Sequence, residues 1–153
     1  MKLAEALVSR ADLNARIAQL NERIQRCVLV QEGEQILEDP NLLLIELNQD
    51  LDQLRDLITR INLTNIQTVL QPQQISLTAA LAQRDILARQ HDLLSGFTKA
   101  ASERFKRYSL REIRILPAID IGALHRQIDD IARQRRELDI AIQSANWATE
   151  LLE

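Results

Sequence analysis

Glycine, proline and aromatic residues are scarce in this sequence. Glycine and proline occur three times each in 153 residues, and aromatic residues make up 3%. Sandwiches and barrels need turn residues between their many short strands, so this composition argues against both. Leucine and isoleucine contribute 26 and 17 residues, and the hydrophobic fraction of 46% exceeds that of a disordered chain. The composition therefore predicts a folded protein with an aliphatic core.

Cysteine and long apolar runs are also lacking. The single cysteine, Cys27, excludes an internal disulfide and a zinc site built from cysteines. No apolar run approaches the roughly 18–20 residues that span a bilayer. The first residues lack the apolar segment of a signal peptide. We therefore predict a cytoplasmic protein with no membrane partner.

Lysine is the rarer basic residue, with 3 lysines against 16 arginines. The planar guanidinium of arginine suits buried or bidentate ion pairs better than an ammonium group does. An anion site is the alternative interpretation, but Arg133 and Arg135 each have an aspartate one helical turn away, at Asp129 and Asp139. The net charge of −3 also disfavours non-specific binding to phosphate backbones. We predict ion pairs at helix or subunit contacts and no nucleic-acid partner.

Four segments carry the spacing of apolar residues that indicates amphipathic helices. The predicted helices span residues 2–27, 40–63, 77–107 and 120–147, and short extended segments are predicted near 28–32, 66–70 and 111–119. Asp39, Ser76 and Asp120 stand where helix N-caps are expected, and the polar residues 71–74 predict a turn. The sequence predicts a mainly α fold: one helical domain over 1–153, formed as a long-helix bundle with coiled-coil-like seams.

The second and fourth predicted helices carry the clearest heptad seams, in which apolar residues recur at alternating steps of three and four. Arg135 falls on the seam of the fourth helix, where a charged residue is costly unless paired and can fix register or oligomeric state. Because each seam is narrow and surrounded by charges, we expect these helices to pair and the protein to form a homo-oligomer. The predicted interface and register residues are Leu44, Leu47, Leu51, Leu54, Ile58, Ile128, Ile131, Arg135, Leu138 and Ile142.

An acidic loop is the first candidate for ligand binding. Gln31, Glu32 and Glu34 lie between the first two predicted helices, close to further carboxylates. Such a loop could bind a cation or the arginines of a protein partner. A solvated loop whose glutamates bind local backbone is the alternative, and the sequence does not decide between them.

A second candidate group is spread over the middle of the chain. Asn62, Asn65, Arg84, Asp85 and His91 would form a polar site if the fold brought them into one pocket, joined by Glu32 or Glu34. The alternative assigns a structural role to each residue. The two asparagines would then be C-terminal caps, the arginine would pair with its neighbouring aspartate, and the histidine would pack near the seam of the third helix.

Motifs for catalysis, cofactors and metals are missing from the sequence. It contains no nucleophile elbow, phosphate loop or dinucleotide fingerprint. The His-Glu-x-x-His motif and the Glu-x-x-His repeats of di-iron bundles are missing as well. We predict no catalytic residue, no cofactor and no metal.

Six stretches, in order along the chain, resemble one known family. They are Lys2-Leu3-Ala4-Glu5-Ala6-Leu7, Val30-Gln31-Glu32-Gly33-Glu34, Glu38-Asp39-Pro40, Arg60-Ile61-Asn62-x-Thr64-Asn65, Ala80-Leu81-Ala82-x-Arg84-Asp85 and Gln143-x-x-Asn146-Trp147. The chain is similar in these stretches to small bacterial proteins of unknown function that are often labelled septicolysin. It differs from them at 71–74, where the family commonly has an Asp-Gly turn. The resemblance implies a largely helical protein and transfers no catalytic residue.

The family label implies a secreted haemolysin that perforates membranes. The sequence has no signal peptide, no membrane-length segment and no pair of alternating strands long enough for a barrel hairpin. We therefore treat the label as a misannotation. Our leading hypothesis is a cytoplasmic, non-enzymatic helical protein that self-associates, with an unidentified protein partner left open. The alternatives are an enzyme or ligand-binding protein with a site around Arg84, Asp85 and His91, and the cytolysin.

Overall fold

The fold is mainly helical, which confirms the predicted fold class. The structure is a computed structural model that describes residues 1–36, 38–108 and 116–153. Over these ranges it contains the helices α1 (Leu3–Cys27), α2 (Pro40–Gln67), α3 (Leu77–Tyr108) and α4 (Ile121–Ala148), and the strands β1 (Val69–Leu70) and β2 (Ile75–Ser76).

The three predicted helix N-caps are confirmed. The carboxylate of Asp39 accepts a hydrogen bond from the Asn41 backbone N–H at 2.8 Å. The hydroxyl oxygen of Ser76 accepts from the Ala79 N–H at 3.2 Å, and the Asp120 carboxylate accepts from the Ala123 N–H at 2.9 Å. Each side chain satisfies one of the backbone donors that the first turn of a helix leaves free.

Helix α2 continues past its predicted end at residue 63. Asn62 and Asn65 lie inside the helix, so their interpretation as C-terminal caps is wrong. The helix ends instead at Thr68, which has an extended backbone and donates its N–H to the Thr64 carbonyl at 2.9 Å. Asparagine is favoured at helix ends, which suggests a cap here, but α2 continues through both asparagines to Gln67.

The connections differ in part from the predicted extended segments. Residues 28–32 form no strand, and a turn closes at 31–34, where the Glu34 N–H donates to the Gln31 carbonyl at 3.0 Å. Gly33 has a φ of 92°, a backbone conformation that residues with a side chain rarely adopt. Of the predicted extended segment 111–119, residues 111–115 lie outside the described residues and 116–119 form no strand.

A short β-hairpin precedes α3, and its turn confirms the prediction for 71–74. Strands β1 and β2 are antiparallel, with Val69 opposite Ser76 and Leu70 opposite Ile75. Gln74 closes the turn with a φ of 55° and donates its N–H to the Leu70 carbonyl at 3.0 Å. Leu70 is buried, so the hairpin contributes one anchor to the core.

The chain separates into two compact units. The first unit comprises Met1–Thr68 and Ala145–Glu153, and the second comprises Val69–Ser144. The prediction of one domain over 1–153 stays a prediction. In the second unit the buried apolar side chains follow one face of each long helix. They are Leu77, Ala80 and Leu87 of α3 and Leu124, Ile131, Leu138 and Ile142 of α4.

In the first unit α1 and α2 pack as an antiparallel pair. Arg16 contacts Asp50 and Arg23 contacts Glu38, so contacts of later residues in α1 fall toward the start of α2. Buried positions recur every seven residues along each of the two helices. They include Ala6, Leu13 and Leu20 of α1 and Leu43, Asp50, Leu57 and Thr64 of α2.

One charged residue, Asp50, lies within this apolar contact. Its side chain is 2% exposed, and its Oδ1 lies 2.8 Å from an Arg16 guanidinium nitrogen. Its Oδ2 is buried and has no hydrogen-bond partner among the described residues. A buried carboxylate is tolerated when it is paired, so Arg16 stabilises the position of Asp50.

Gly96 offers a simple test of helix α3. It is an exposed residue far from either end of the helix, and a Cβ added there would have no neighbouring atom within 4 Å. We expect Gly96→Ala to raise the free energy of unfolding by about 0.5–1 kcal/mol, because alanine loses less backbone entropy in a helix. Urea denaturation of both proteins measures the change, and a loss of stability would contradict the helical assignment at this position.

Candidate functional site

Helix α2 carries an exposed apolar row beside its buried face. Leu44, Leu51 and Ile58 are 44%, 44% and 37% exposed and recur every seven residues. They are three of the five α2 residues in the predicted seam, and we call them the α2 row. The other two, Leu47 and Leu54, are partly buried. The seam in contact with α1 is therefore shifted around the helix from the predicted one.

The predicted interface residues of α4 divide in the same way. Ile131, Leu138 and Ile142 are buried within the fold, and Ile128 is partly buried. Arg135, which was expected on the seam, is exposed and therefore does not lie in the apolar contact. Its Nε lies 3.9 Å from an Asp139 carboxylate oxygen, one turn further along the helix. Solvent exposure removes the desolvation cost that a charged seam residue would impose.

The polar candidates of α3 lie about two helical turns apart, and each pairs with a neighbouring residue. Arg84 donates from Nε and a terminal nitrogen to the carboxylate of Asp85, at 3.1 and 2.9 Å. His91 Nδ1 lies 3.4 Å from an Asp92 carboxylate oxygen. Arg84 and His91 are seven residues apart, about 10 Å along the helix axis. Each of the two side chains makes its polar contact with the carboxylate that follows it in the sequence.

The acidic loop borders a cavity of about 550 Å³ at the end of α1. Gln31 and Glu34 contribute to its lining, whereas Glu32 does not. Arg23 donates to the carboxylate of Glu38 from Nε at 3.1 Å, and this hydrogen bond lowers the pKa of Glu38. A cavity of this volume could hold a small molecule. Its arginine–carboxylate pair, Arg23 with Glu38, is already formed within the lining, so Arg23 is not left unpaired for an anionic ligand. The full lining is Arg23, Arg26, Cys27, Leu29, Val30, Gln31, Glu34, Gln35, Ile36 and Glu38.

The remaining candidates, Asn62 and Asn65, lie near the other end of α2. Helix α2 begins at Pro40, next to the acidic loop, and Asn62 is 22 residues further along it. At 1.5 Å per residue this separation is about 33 Å. The structure therefore does not bring the asparagines of the first unit together with Gln31, Glu32 and Glu34.

The C-terminal segment binds to the first unit, a feature that the sequence does not predict. We call residues 149–152 the tail segment. It lies in a groove formed by residues 1–3, Arg60 and Thr64, which we call the tail groove. The Leu3 N–H donates to the Thr149 carbonyl and the Leu151 N–H donates to the Met1 carbonyl, both at 2.9 Å. These two hydrogen bonds pair the chain ends in antiparallel fashion.

Side chains of α2 hold the last part of the tail segment. The Thr64 hydroxyl oxygen accepts from the Leu152 N–H at 3.0 Å and donates to the Arg60 carbonyl at 2.7 Å. Arg60 Nε donates to the Leu152 carbonyl at 2.8 Å. Leu151 is buried, with 7% exposure. Arg60 and Thr64 therefore hold the backbone of Leu152 on both sides of the residue, at its N–H and its carbonyl.

Charges at the chain ends add to these contacts. Lys2 Nζ lies 2.7 Å from one Glu150 carboxylate oxygen, and the Met1 ammonium lies 3.3 Å from the other. Hydrogen bonds from Lys2 and then from the terminal ammonium lower the pKa of Glu150 from its usual 4.5. Because the folded-state pKa is lowered, these pairs stabilise the fold above about pH 4.5. Their contribution is lost as pH falls through the lowered pKa.

Two properties of the described residues bear on the function classes. Within the described ranges, no group of three His, Cys, Asp or Glu side chains could hold a metal ion. No helix in the part of the chain that the structure describes combines the length and apolarity required to cross a bilayer.

The geometry defines a mainly helical protein with an exposed apolar row and a groove that binds its own C-terminal segment. Residues 10–151 match a family model described as a family of unknown function (DUF6847), and the chain belongs to this family. A crystal structure from Corynebacterium diphtheriae, described as that of a functionally unknown conserved protein, is similar to the chain. The two are 36% identical, the match covers 99% of each chain, and the TM-score is 0.90. No curated protein matches the chain.

Proposed function

We propose that the protein is a self-associating helical interaction protein that acts in the cytoplasm and pairs with a second copy through the α2 row. The exposed α2 row is the observation that carries this proposal. Apolar residues at heptad spacing are the pattern by which helices pair, and the row is left uncovered by the fold. The single cysteine of the chain is in keeping with a reducing compartment.

The α2 row is self-complementary, which favours a second copy as its occupant. Leu44 and Ile58 lie seven residues on either side of Leu51. Two antiparallel α2 helices related by a two-fold axis would place Leu51 against its equivalent and Leu44 against Ile58. Such isologous contacts are the commonest way in which soluble proteins form dimers. Arg55, which lies between Leu51 and Ile58 in the sequence, already pairs with Asp52 and Asp56 on its own helix.

A charge in the middle of the α2 row tests the proposal. Leu51→Glu is expected to weaken dimerisation at least about a hundredfold, because two copies each lose about 1.5–3 kcal/mol of apolar burial. Size-exclusion chromatography with light scattering measures the mass, with a monomer at 17.5 kDa. Wild type should elute as a dimer and Leu51→Glu as a monomer.

Ile45→Glu is the matched control. Ile45 is an exposed residue of the same helix, 55% exposed, but lies roughly 120° around the helix from Leu51. We expect this variant to stay dimeric. A wild-type protein that remains monomeric at high concentration, or equal dissociation of both variants, would contradict pairing through the α2 row.

A further inference from the structure

The tail groove has the chemistry of a peptide-binding site. Peptides that add to a chain edge are bound through their backbone, and their alternate side chains supply specificity. The tail segment follows this scheme, because Met1, Leu3 and Thr64 bond to its backbone. Leu151 is its buried anchor, and its neighbour Glu150 faces the charge of Lys2.

The groove and its occupant come from opposite ends of the sequence. Thr64 and Leu152 are 88 residues apart, and Lys2 and Ala148, joined by a hydrogen bond, are 146 apart. The boundary between the two units falls within α4: residues up to Ser144 belong to the second unit, and Ala145–Glu153 belong to the first. All the contacts are non-covalent, so the tail segment of another copy could make every one of them.

We propose that the tail groove also binds the tail segment of a second copy, so that two copies exchange their C-terminal segments. Exchange of an identical element needs no contact that the single chain lacks, which makes it a low-cost route to a dimer. Covalent attachment favours the chain's own tail by an effective concentration on the order of millimolar. Exchange therefore becomes visible when the chain's own tail is weakened. It does not involve the α2 row.

The contacts define the sequence that the groove selects. The groove favours an acidic residue directly before a buried leucine, because the ammonium groups of Lys2 and Met1 pair with Glu150 and the next residue, Leu151, is buried. The residue after the leucine is held by its backbone, through Thr64 and Arg60. A peptide with glutamine in place of Glu150 should bind about twofold to fivefold more weakly, as expected for an exposed ion pair.

A labelled peptide tests whether the groove accepts a tail in trans. The peptide has the sequence of residues 145–153, and fluorescence anisotropy measures its binding to full-length Leu151→Asp protein, whose own tail cannot bury a charge in the groove. We expect binding to this variant, at least tenfold weaker binding to wild type, and loss of binding when Arg60→Met and Thr64→Val are added. Circular dichroism checks that each variant is folded. A folded Leu151→Asp protein that ignores the peptide would overturn the proposal.

A second variant keeps the test decisive if Leu151→Asp does not fold. Glu150→Lys weakens the tail through repulsion from Lys2 and leaves the buried leucine in place. It should bind the wild-type peptide more tightly than wild-type protein does. Equal affinity of a folded Glu150→Lys variant and wild type would also overturn the proposal.

Complementation between two full-length variants tests the exchange itself. One copy carries Leu151→Asp and keeps its groove, and the other carries Arg60→Met and Thr64→Val and keeps its tail. Both also carry Leu51→Glu, so pairing through the α2 row is removed. The two should be monomeric alone and form a 1:1 dimer when mixed. A mixture that stays monomeric contradicts tail exchange, whereas the effect of Leu51→Glu alone decides the proposed α2 pairing.

Discussion

Replacement of Arg16 by methionine is expected to lower the free energy of unfolding by about 3–5 kcal/mol. The Asp50 carboxylate is 2% exposed and Arg16 is its ion-pair partner, while its Oδ2 has no partner among the described residues. Methionine keeps most of the aliphatic volume of arginine, so the variant removes the charge with little change in packing. The carboxylate is then buried without a counter-charge, which is the most costly state available to it. Urea denaturation with linear extrapolation measures the loss.

The double variant Arg16→Met/Asp50→Leu separates the cost of leaving the Asp50 carboxylate unpaired from the contribution of the Arg16–Asp50 pair to the free energy of unfolding. Leucine at position 50 would complete the apolar row of Leu43 and Leu57. Buried ion pairs replaced by apolar residues are often neutral or stabilising by about 1–4 kcal/mol, so we expect recovery to the wild-type value or above. Arg55→Met is the control, because Arg55 and its partner Asp52 are both about two-thirds exposed, and it should cost less than about 1 kcal/mol.

A small effect of Arg16→Met, comparable with that of Arg55→Met, would contradict this account. It would mean that the Asp50 carboxylate reaches water or another donor once Arg16 is gone. Failure of the double variant to recover stability would point instead to packing of the Arg16 side chain on α1. The three variants together therefore distinguish charge burial from side-chain volume as the source of the effect.

Asp50 also explains why the row of positions that α2 buries differs from the seam that the sequence predicts. Helix α2 has two adjacent rows of positions at heptad spacing. The first row is 43, 50, 57 and 64, and the second is 44, 51 and 58. The first row contains an aspartate and a threonine, so the apolar pattern favours the second. The structure buries the first row, because Arg16 of α1 pairs with the aspartate and Thr64 bonds to the tail segment. Both reasons are tertiary and cannot be derived from the spacing along one helix.

Local features of the fold were predicted with better success. The caps Asp39, Ser76 and Asp120 act on backbone groups two or three residues away, so their chemistry is readable from the sequence. The tail groove is the opposite case, since Arg60 and Leu152 are 92 residues apart. Nothing near either residue signals that they meet. The resemblance stretch around Arg60 was the available signal, and it carried no role for the arginine.

The candidate polar sites show the same limit. Arg84 and Asp85 were singled out as neighbours and pair with each other, which the sequence could suggest. Whether distant polar residues meet depends on the length of the helices between them. Asn62 lies about 33 Å along α2 from the end next to the acidic loop, so one helix separates two groups that a polar pocket would have to combine. The resemblance to proteins labelled septicolysin stays a prediction.

Ile61→Ala and Ile58→Ala are expected to differ strongly although they are the same substitution three residues apart. Ile61 is 1% exposed, so its truncation should cost about 2–5 kcal/mol through lost burial and the cavity left behind. Ile58 belongs to the α2 row and is 37% exposed, so its truncation should cost less than about 1 kcal/mol. Urea denaturation at low protein concentration measures both values without a contribution from dimerisation.

Self-association should show the opposite order. Ile58→Ala removes a contact of the proposed α2 pairing and should weaken dimerisation, whereas folded Ile61→Ala should dimerise as wild type does. Analytical ultracentrifugation over a concentration series measures both dissociation constants. Equal unfolding costs for the two variants would contradict the placement of the buried face of α2, because Ile61 is buried and Ile58 is exposed.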